Sequence, residues 1–306
     1  MSAAPDVRPP FKRMAVLGLG LLGGSVAKAA RERGLALEVV GAARQPAPLA
    51  RALAAGIVDR IAPPSEAVVG ADFVVLGTPV GSMPKLIAEV ASGLESGCLL
   101  TDVGSVKNSV VEILPGLLPE GVEYVGSHPM AGSHLRGPDH ARSDLFEGAC
   151  CVVTPREGQT PEAVRRVEAF WRALGARVTR RSPAVHDEEI AWISHLPHLV
   201  AFAFAQSLES APLSASELAG SGFRDFTRIA QSDAELWGEI LSLNGKALSG
   251  PLSHFSKSLA RLAEALEKGD GESLERLLNR ARSRLAEVAS HANRSGQEPA
   301  EQDESL

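Results

Sequence analysis

The side chains best placed to do chemistry fall in five short runs. The first, Gly18-Leu19-Gly20-Leu21-Leu22-Gly23-Gly24-Ser25, lies directly behind the apolar run 14–17. Its G-x-G-x-x-G spacing between a strand and a helix suits a pyrophosphate. Gly18 permits the tight turn, Gly20 lets backbone approach the phosphates, and Gly23 lets helix and strand pack closely. Orphan N–H groups at the helix start and the helix dipole then favour the anion, and Leu21 and Leu22 join the three glycines in the expected cofactor-binding set. The second run, Thr101-Asp102-Val103-Gly104-Ser105-Val106-Lys107, stands where a strand ends and a helix begins, the ligand crevice of an open α/β sheet. The third, Ser127-His128-Pro129-Met130-Ala131-Gly132, follows the next strand in the same way and offers an imidazole to take a proton from a bound substrate. The fourth places His186-Asp187 and Ser194-His195-Leu196-Pro197-His198 on one long helix, and the fifth, Ser221 to Ala230 with Arg228, precedes Trp237 and Asn244. A phosphate-binding turn with a proton acceptor suggests a dehydrogenase.

Singly, each run has a plainer explanation. A serine before a helix is commonly an N-cap. A loop histidine is commonly a satisfied surface group. His195 and His198, at i and i+3, share a helix face and can pack around a kink at Pro197. Arg228 is close enough in sequence to pair with Asp225. Their occurrence together, in this order, is much harder to dismiss.

The elements that must position these groups follow from periodicity. Strands are expected at 13–17, 38–41, 73–77, 98–101, 123–126, 149–154 and 177–179, with helices at 24–33, 49–55, 82–92, 106–114 and 161–174. Near-continuous apolar strands alternating with helices predict βαβ units and a sheet covered on both faces. From Pro183 the apolar residues recur at helical spacing, beginning with a long helix over 185–209. The expected fold is thus an α/β Rossmann-type dinucleotide-binding domain over 12–182, followed by an all-α helical domain over 183–293. Residues 294–306 are polar and acidic and read as a disordered tail.

NAD-specific sites of this kind usually carry an acid at the end of the second strand, to bond the ribose 2′-hydroxyl. Here the strand ends Val39-Val40-Gly41-Ala42-Ala43-Arg44, with an arginine and no acid. Either Arg44 pairs with a 2′-phosphate and NADP is accepted, the reading favoured here, or it stacks on adenine at the surface and NAD is used. Thr78, behind the strand 73–77, and Asp102 complete the expected cofactor-binding set.

Bulk properties exclude several classes. The 306 residues suffice for two domains, and a formal charge of −6 gives no case for nucleic-acid binding. The three cysteines, Cys98, Cys150 and Cys151, lack metal-like spacing, and strand neighbours point to opposite faces, so a 150–151 bridge is not expected. His128, His134 and His140 lack the spacing and carboxylate partners of a metal site. No apolar run reaches spanning length and no secretory leader is evident, so a cytoplasmic location without membrane contact is expected.

The set T-D-x-G-S-V-K, G-x-H-P-M-A-G, S-H-L-P-H and F-R-D-x-T-R-I-A closely resembles the prephenate/arogenate dehydrogenase family of tyrosine biosynthesis, from Met14 to about Asn244. The resemblance implies oxidative decarboxylation of prephenate to 4-hydroxyphenylpyruvate with hydride transfer to NAD or NADP. It implies that His128 is the general base and that Ser105 orients the same hydroxyl near the nicotinamide. Arg228 would hold the ring carboxylate, while His198 and Ser194 contact the side-chain end of the substrate or the cofactor. Trp237 would close the pocket, from its own or from a neighbouring subunit, and a homodimer is implied. Many members carry an acid where this chain has His134. Lacking a carboxylate for an ammonium group, the chain is expected to prefer prephenate over arogenate. A β-hydroxyacid dehydrogenase is the less favoured enzyme reading, since its catalytic lysine is replaced here by His195 and His198. A nucleotide sensor without turnover would explain Gly18–Gly23 but not His128, His198 and Arg228 together.

Overall fold

The computed structural model describes residues 10–132, 135 and 137–295. The chain divides into two compact units, 1–248 and 249–306.

The first unit opens with β1 (Phe11–Leu17), α1 (Leu21–Glu32), β2 (Ala36–Ala42), α2 (Pro46–Ala54), β3 (Arg60–Ile61), α3 (Pro64–Ala67) and β4 (Phe73–Leu76). It continues with α4 (Met83–Val90), β5 (Leu99–Asp102), α5 (Asn108–Ile113) and β6 (Glu123–Tyr124). The six strands form one parallel sheet in the order β3-β2-β1-β4-β5-β6, the doubly wound arrangement whose strand order reverses between β1 and β4. Its strands are apolar because both faces are covered. Along β1, Met14 and Val16 face a core containing Val26, Phe146 and Trp171, while Ala15 and Leu17 face one containing Leu86, Ile87 and Leu114. That alternation is the period-two geometry of a strand.

Where a single strand over 123–126 was expected, the chain changes sheets. After β6, Val125 still donates to Leu100 O, and β7 (Gly126–Pro129) then pairs antiparallel with β8 (Cys150–Thr154). The switch needs glycine, because a Cβ on Gly126 would lie 2.5 Å from Thr154 Oγ1. Past α6 (Pro161–Ala173), β9 (Arg177–Arg180) joins β8 in parallel. His128 therefore sits on a strand of a second, three-stranded sheet, not in a loop behind a strand of the first.

The expected helix over 185–209 is also interrupted. Helix α7 (Pro183–Ile190) starts at an N-cap in which Ser182 accepts from Val185 N–H, and a π turn over Ala191–His195 separates it from α8 (Leu196–Ser207). Pro197 lies in the first turn of α8 and has no N–H to continue the preceding ladder, so the wider turn takes up the mismatch. Two further helices, α9 (Ser221–Thr227) and α10 (Ala234–Leu243), follow.

Helix α11 (Gly245–Glu267) runs into the second unit, where α12 (Gly271–Ser295) succeeds it. Gly269 takes φ +64° in the connection, and Asp270 accepts from Ser273 N–H at 2.9 Å. Leu252, Leu259 and Leu266 recur every seven residues and are exposed, as are Leu278 and Leu285 on α12. Residues 296–306, the larger part of the expected tail, lie outside the described residues.

Candidate active site

At the reversal between β1 and β4 the backbone itself forms the site. Gly18 has φ +106°, and Gly77, just past β4, donates to Leu17 O at 2.8 Å. A Cβ on Gly18 would stand 2.6 Å from Gly77 C, and one on Gly23 only 1.9 Å from Gly18 O, so neither position admits a side chain. Nothing lies within 4 Å of a Cβ placed on Gly20. The glycine run is not all loop: α1 begins at Leu21, so Gly23 and Gly24 are helical, and its N-cap Gly20 offers no side chain to the free N–H groups. The buried Oγ1 of Thr78 has no hydrogen-bond partner. An open cradle, uncapped N–H groups and an orphan hydroxyl fit a dinucleotide pyrophosphate.

Arg44 is exposed at the end of β2, beside a hollow of about 510 Å³ that Ala43, Ile61, Pro63, Pro64 and Leu86 also line. The one acid on β2, Glu38, lies toward the other end of the strand and is held by Arg13 and Arg60. That hollow can take the adenosine end of the cofactor.

Asp102 does not present its carboxylate to the cofactor. The group is completely buried and accepts from Lys107 Nζ, Gly104 N–H at 2.8 Å, Tyr124 OH at 2.8 Å and Ser127 N–H at 3.1 Å. With its lone pairs taken, it acts as an internal brace, and removing one partner of such a buried ion pair costs about 3–5 kcal/mol. Lys107 also donates to Ser127 O at 2.8 Å, and Ser127 Oγ accepts from Trp171 Nε1 at 2.9 Å, which immobilises β7 beside His128. The brace raises the Tyr124 hydroxyl pKa well above its ordinary value, through burial first and the Asp102 charge second.

Ser105 is half-buried in the short loop between Asp102 and Lys107. It is not the N-cap of α5. That helix starts at Asn108, and its end is closed from α7, where Asp187 Oδ1 accepts Lys107 N–H at 2.8 Å and Oδ2 accepts Asn108 N–H at 2.9 Å. Both ends of the Ser105 loop are thereby pinned by buried carboxylates.

His128 is 8% exposed, and its Nδ1 lies 2.9 Å from His186 Nε2, whose Nδ1 lies 2.8 Å from Asp187 Oδ1. Burial, then His186, Lys107 and His195, push the His128 pKa well below the ordinary 6.5. It is therefore a neutral imidazole at pH 7, a stronger statement than an unperturbed histidine allows. From Asp187 the contacts continue. Asn244 Nδ2 donates to Asp187 O and meets His195 Nδ1, both at 2.9 Å. Burial lowers the His195 pKa to about 4, and its Nε2 is buried without a partner. The His195 ring meets Trp237 edge-on, and Trp237 stacks on His198 with ring centroids 3.5 Å apart. Trp237 thus joins the site of its own chain. His198 donates from Nδ1 to Ser194 O at 2.9 Å, and its pKa is lowered by burial and by the charge of Arg228. Ser194 takes part through its carbonyl. Arg228 itself is exposed at the end of α9.

One chain of contacts therefore links His128 to the surroundings of Arg228. His134 lies outside the described residues. Reading the sequence left His186, Asp187, Lys107 and Asn244 without roles, although a signal was present. His186 and Asp187 share the buried face of α7 with Ile190, so polar groups occupy positions where a helix normally buries apolar ones. Among the described residues, no three or more metal-ligating side chains gather.

A doubly wound sheet with this glycine cradle and an adjoining neutral imidazole defines an NAD(P)-dependent dehydrogenase. The description "Prephenate dehydrogenase, nucleotide-binding domain" matches residues 26–180, and "Prephenate dehydrogenase, dimerization domain" matches 182–280. The chain belongs to the prephenate dehydrogenase family. It is 32% identical to a cyclohexadienyl dehydrogenase of Zymomonas mobilis, over 92% of this chain and 98% of that one. It is 33% identical to a prephenate dehydrogenase of Bacillus subtilis, over 87% of this chain and 73% of that one. A crystal structure of prephenate dehydrogenase from A. aeolicus, in complex with hydroxyphenyl propionate and NAD+, superposes with a TM-score of 0.83 at 30% identity, covering 90% of this chain and 98% of that one.

Proposed function

We propose that this enzyme converts prephenate to 4-hydroxyphenylpyruvate and CO2 in tyrosine biosynthesis, with His128 as general base. The observation that carries this reading is the buried, neutral His128 held at one end of a contact chain that runs through His186, Asp187, Asn244, His195 and Trp237 to His198, whose pKa the charge of Arg228 lowers. A substrate with a hydroxyl at one end of a ring and a carboxylate at the other suits such a line. Bound NAD(P)+ supplies the hydride acceptor. Gly18, Gly20, Leu21, Leu22, Gly23 and Thr78 hold its pyrophosphate side, while Ala43 and Arg44 favour acceptance of a 2′-phosphate.

Arg228 grips the ring carboxylate, and Ser105 orients the C4 hydroxyl toward His128 Nε2. His128 takes the hydroxyl proton as the C4 hydride departs. The ring carboxylate then leaves as CO2, its bonding pair completes the aromatic ring, and the proton held on His128 returns to the phenolate oxygen. His198 and Trp237 flank the side-chain end. Their neutral or cationic character beside Arg228 suits an α-keto dianion better than an ammonium, and His134 stands in sequence where an acid would serve arogenate. Two copies pair through the exposed leucine faces of α11 and α12, consistent with the matched dimerization domain. No helix among the described residues is long and apolar enough to cross a membrane; the enzyme works in the cytoplasm.

Absorbance at 340 nm, followed with prephenate or arogenate and either cofactor, tests the reading. Prephenate should give the larger kcat/KM. A strong arogenate preference overturns the substrate assignment, and no turnover with either overturns the activity.

A further inference from the structure

The reaction as described uses His128 and leaves two buried neighbours without a task. His186 is 1% exposed and Asp187 4% exposed. Burying an imidazole and a carboxylate is costly unless each finds partners. Capping α5 would occupy Asp187 alone and would not require His186.

The proton positions follow from one end. Both oxygens of Asp187 accept backbone N–H groups, from Lys107 and Asn108, so the group is an acceptor. Against it, His186 must present Nδ1–H at 2.8 Å. A neutral imidazole then carries its lone pair on Nε2, which faces His128 Nδ1 at 2.9 Å. His128 must place its own proton on Nδ1. Its Nε2 is left as a bare acceptor.

We propose that His186 and Asp187 are positioning residues for proton abstraction: they hold His128 as the Nδ1–H tautomer and spread the positive charge it acquires, completing a carboxylate–imidazole–imidazole array. This rests on the reading of His128 as the base. When the hydroxyl proton reaches His128 Nε2, the Nδ1 proton is shared with His186 Nε2, and the His186 Nδ1 proton is drawn toward Asp187. No covalent bond forms within the array, and the protons retrace their path when the phenolate is protonated. The charges facing the pair are mixed. Lys107 opposes protonation of both rings and His195 opposes that of His128, whereas Asp187 and the more distant Asp102 favour that of His186. Asp187 is the carboxylate bonded to His186, so the array depends on it.

The test uses the full-length enzyme with prephenate and NAD(P)+. His186→Leu should lower kcat by about 10²–10⁴, the usual worth of a positioned acid–base group, with cofactor affinity unchanged. His186→Gln, whose side-chain carbonyl can accept the His128 Nδ1 proton, should recover at least about tenfold of that loss. Asp187→Asn should lower kcat and also move the acidic limb of its pH profile downward, since losing a carboxylate disfavours the protonated pair. Should Asp187→Asn fold poorly, the two His186 variants decide. Equal activity of the Leu and Gln variants, or near wild-type kcat in His186→Leu while His128→Asn is inactive, overturns the array and leaves the base intact. Wild-type activity in His128→Asn removes the base itself.

Discussion

The glycine cradle and the imidazole array sit in the same compact unit and are built on opposite terms. In the cradle, Gly18, Gly23 and Gly77 serve by having no side chain, and the ligand-facing groups are backbone N–H. In the array, side chains from β7, α7, α10 and the π turn carry the function, and the backbone only delivers them. A backbone site is assembled by neighbours in sequence. A side-chain site is assembled by the fold, so its geometry depends on distant contacts such as Asp187 with Lys107.

Substitutions can break that contrast. The largest effect is expected from His128→Asn, which should lower kcat by about 10²–10⁴ while the cofactor Kd stays nearly unchanged; equal damage to both would merge the two regions into one. Next, Arg228→Ala should raise the substrate KM by about 10- to 100-fold, the worth of a lost charge-assisted hydrogen bond, measurable by steady-state kinetics. In the cradle the sharper comparison lies between neighbours. Gly23→Ala places a Cβ 1.9 Å from Gly18 O and should destabilise the protein by about 1–3 kcal/mol or more in denaturant melts. Gly20→Ala meets nothing within 4 Å, so it should keep the wild-type melting curve and weaken only cofactor binding, measured by titration. Ala43→Asp should shift the NADP/NAD ratio of kcat/KM about tenfold toward NAD, by repelling a 2′-phosphate and bonding a free 2′-hydroxyl. An unchanged ratio would remove Ala43 and Arg44 from the specificity argument.

The smallest effect concerns pH. His128, His186, His195 and His198 all have pKa values lowered by burial from 6.5, His195 to about 4. Below pH 6.5 the unfolded chain therefore binds more protons than the folded one, and stability falls progressively as pH drops toward 4. Between pH 7 and 6 the melting temperature should fall by only about 2–4 °C, roughly the worth of 1 kcal/mol in a unit this size. A rise over that interval would contradict the buried neutral state.

What was legible in the sequence divides along the same line. Strand–glycine–helix order is local, so the cradle and the alternation of strands and helices could be read directly. The departure of β7 into a second sheet could not, because it depends on Gly126 meeting Thr154, far along the chain. The plainer alternative for Ser105, an N-cap, could not be set aside from sequence because the carboxylate that closes that helix end, Asp187, comes from another helix. Asp102 looked cofactor-facing from its place at a strand end, yet Lys107, five residues on, turns it inward. The helix over 185–209 gave no sign of its π turn beyond Pro197, and that turn leads into His195 and His198.

Val125 is the single residue between the strand that ends the large sheet and the strand that carries His128. Consecutive strand residues face opposite ways, so inserting or deleting one residue there would turn the imidazole to the far side of its sheet. Divergence in this stretch can therefore proceed by exchange of residue types but not by change of length. A chain of this architecture with an altered count between Tyr124 and His128 should keep its nucleotide and lose its chemistry.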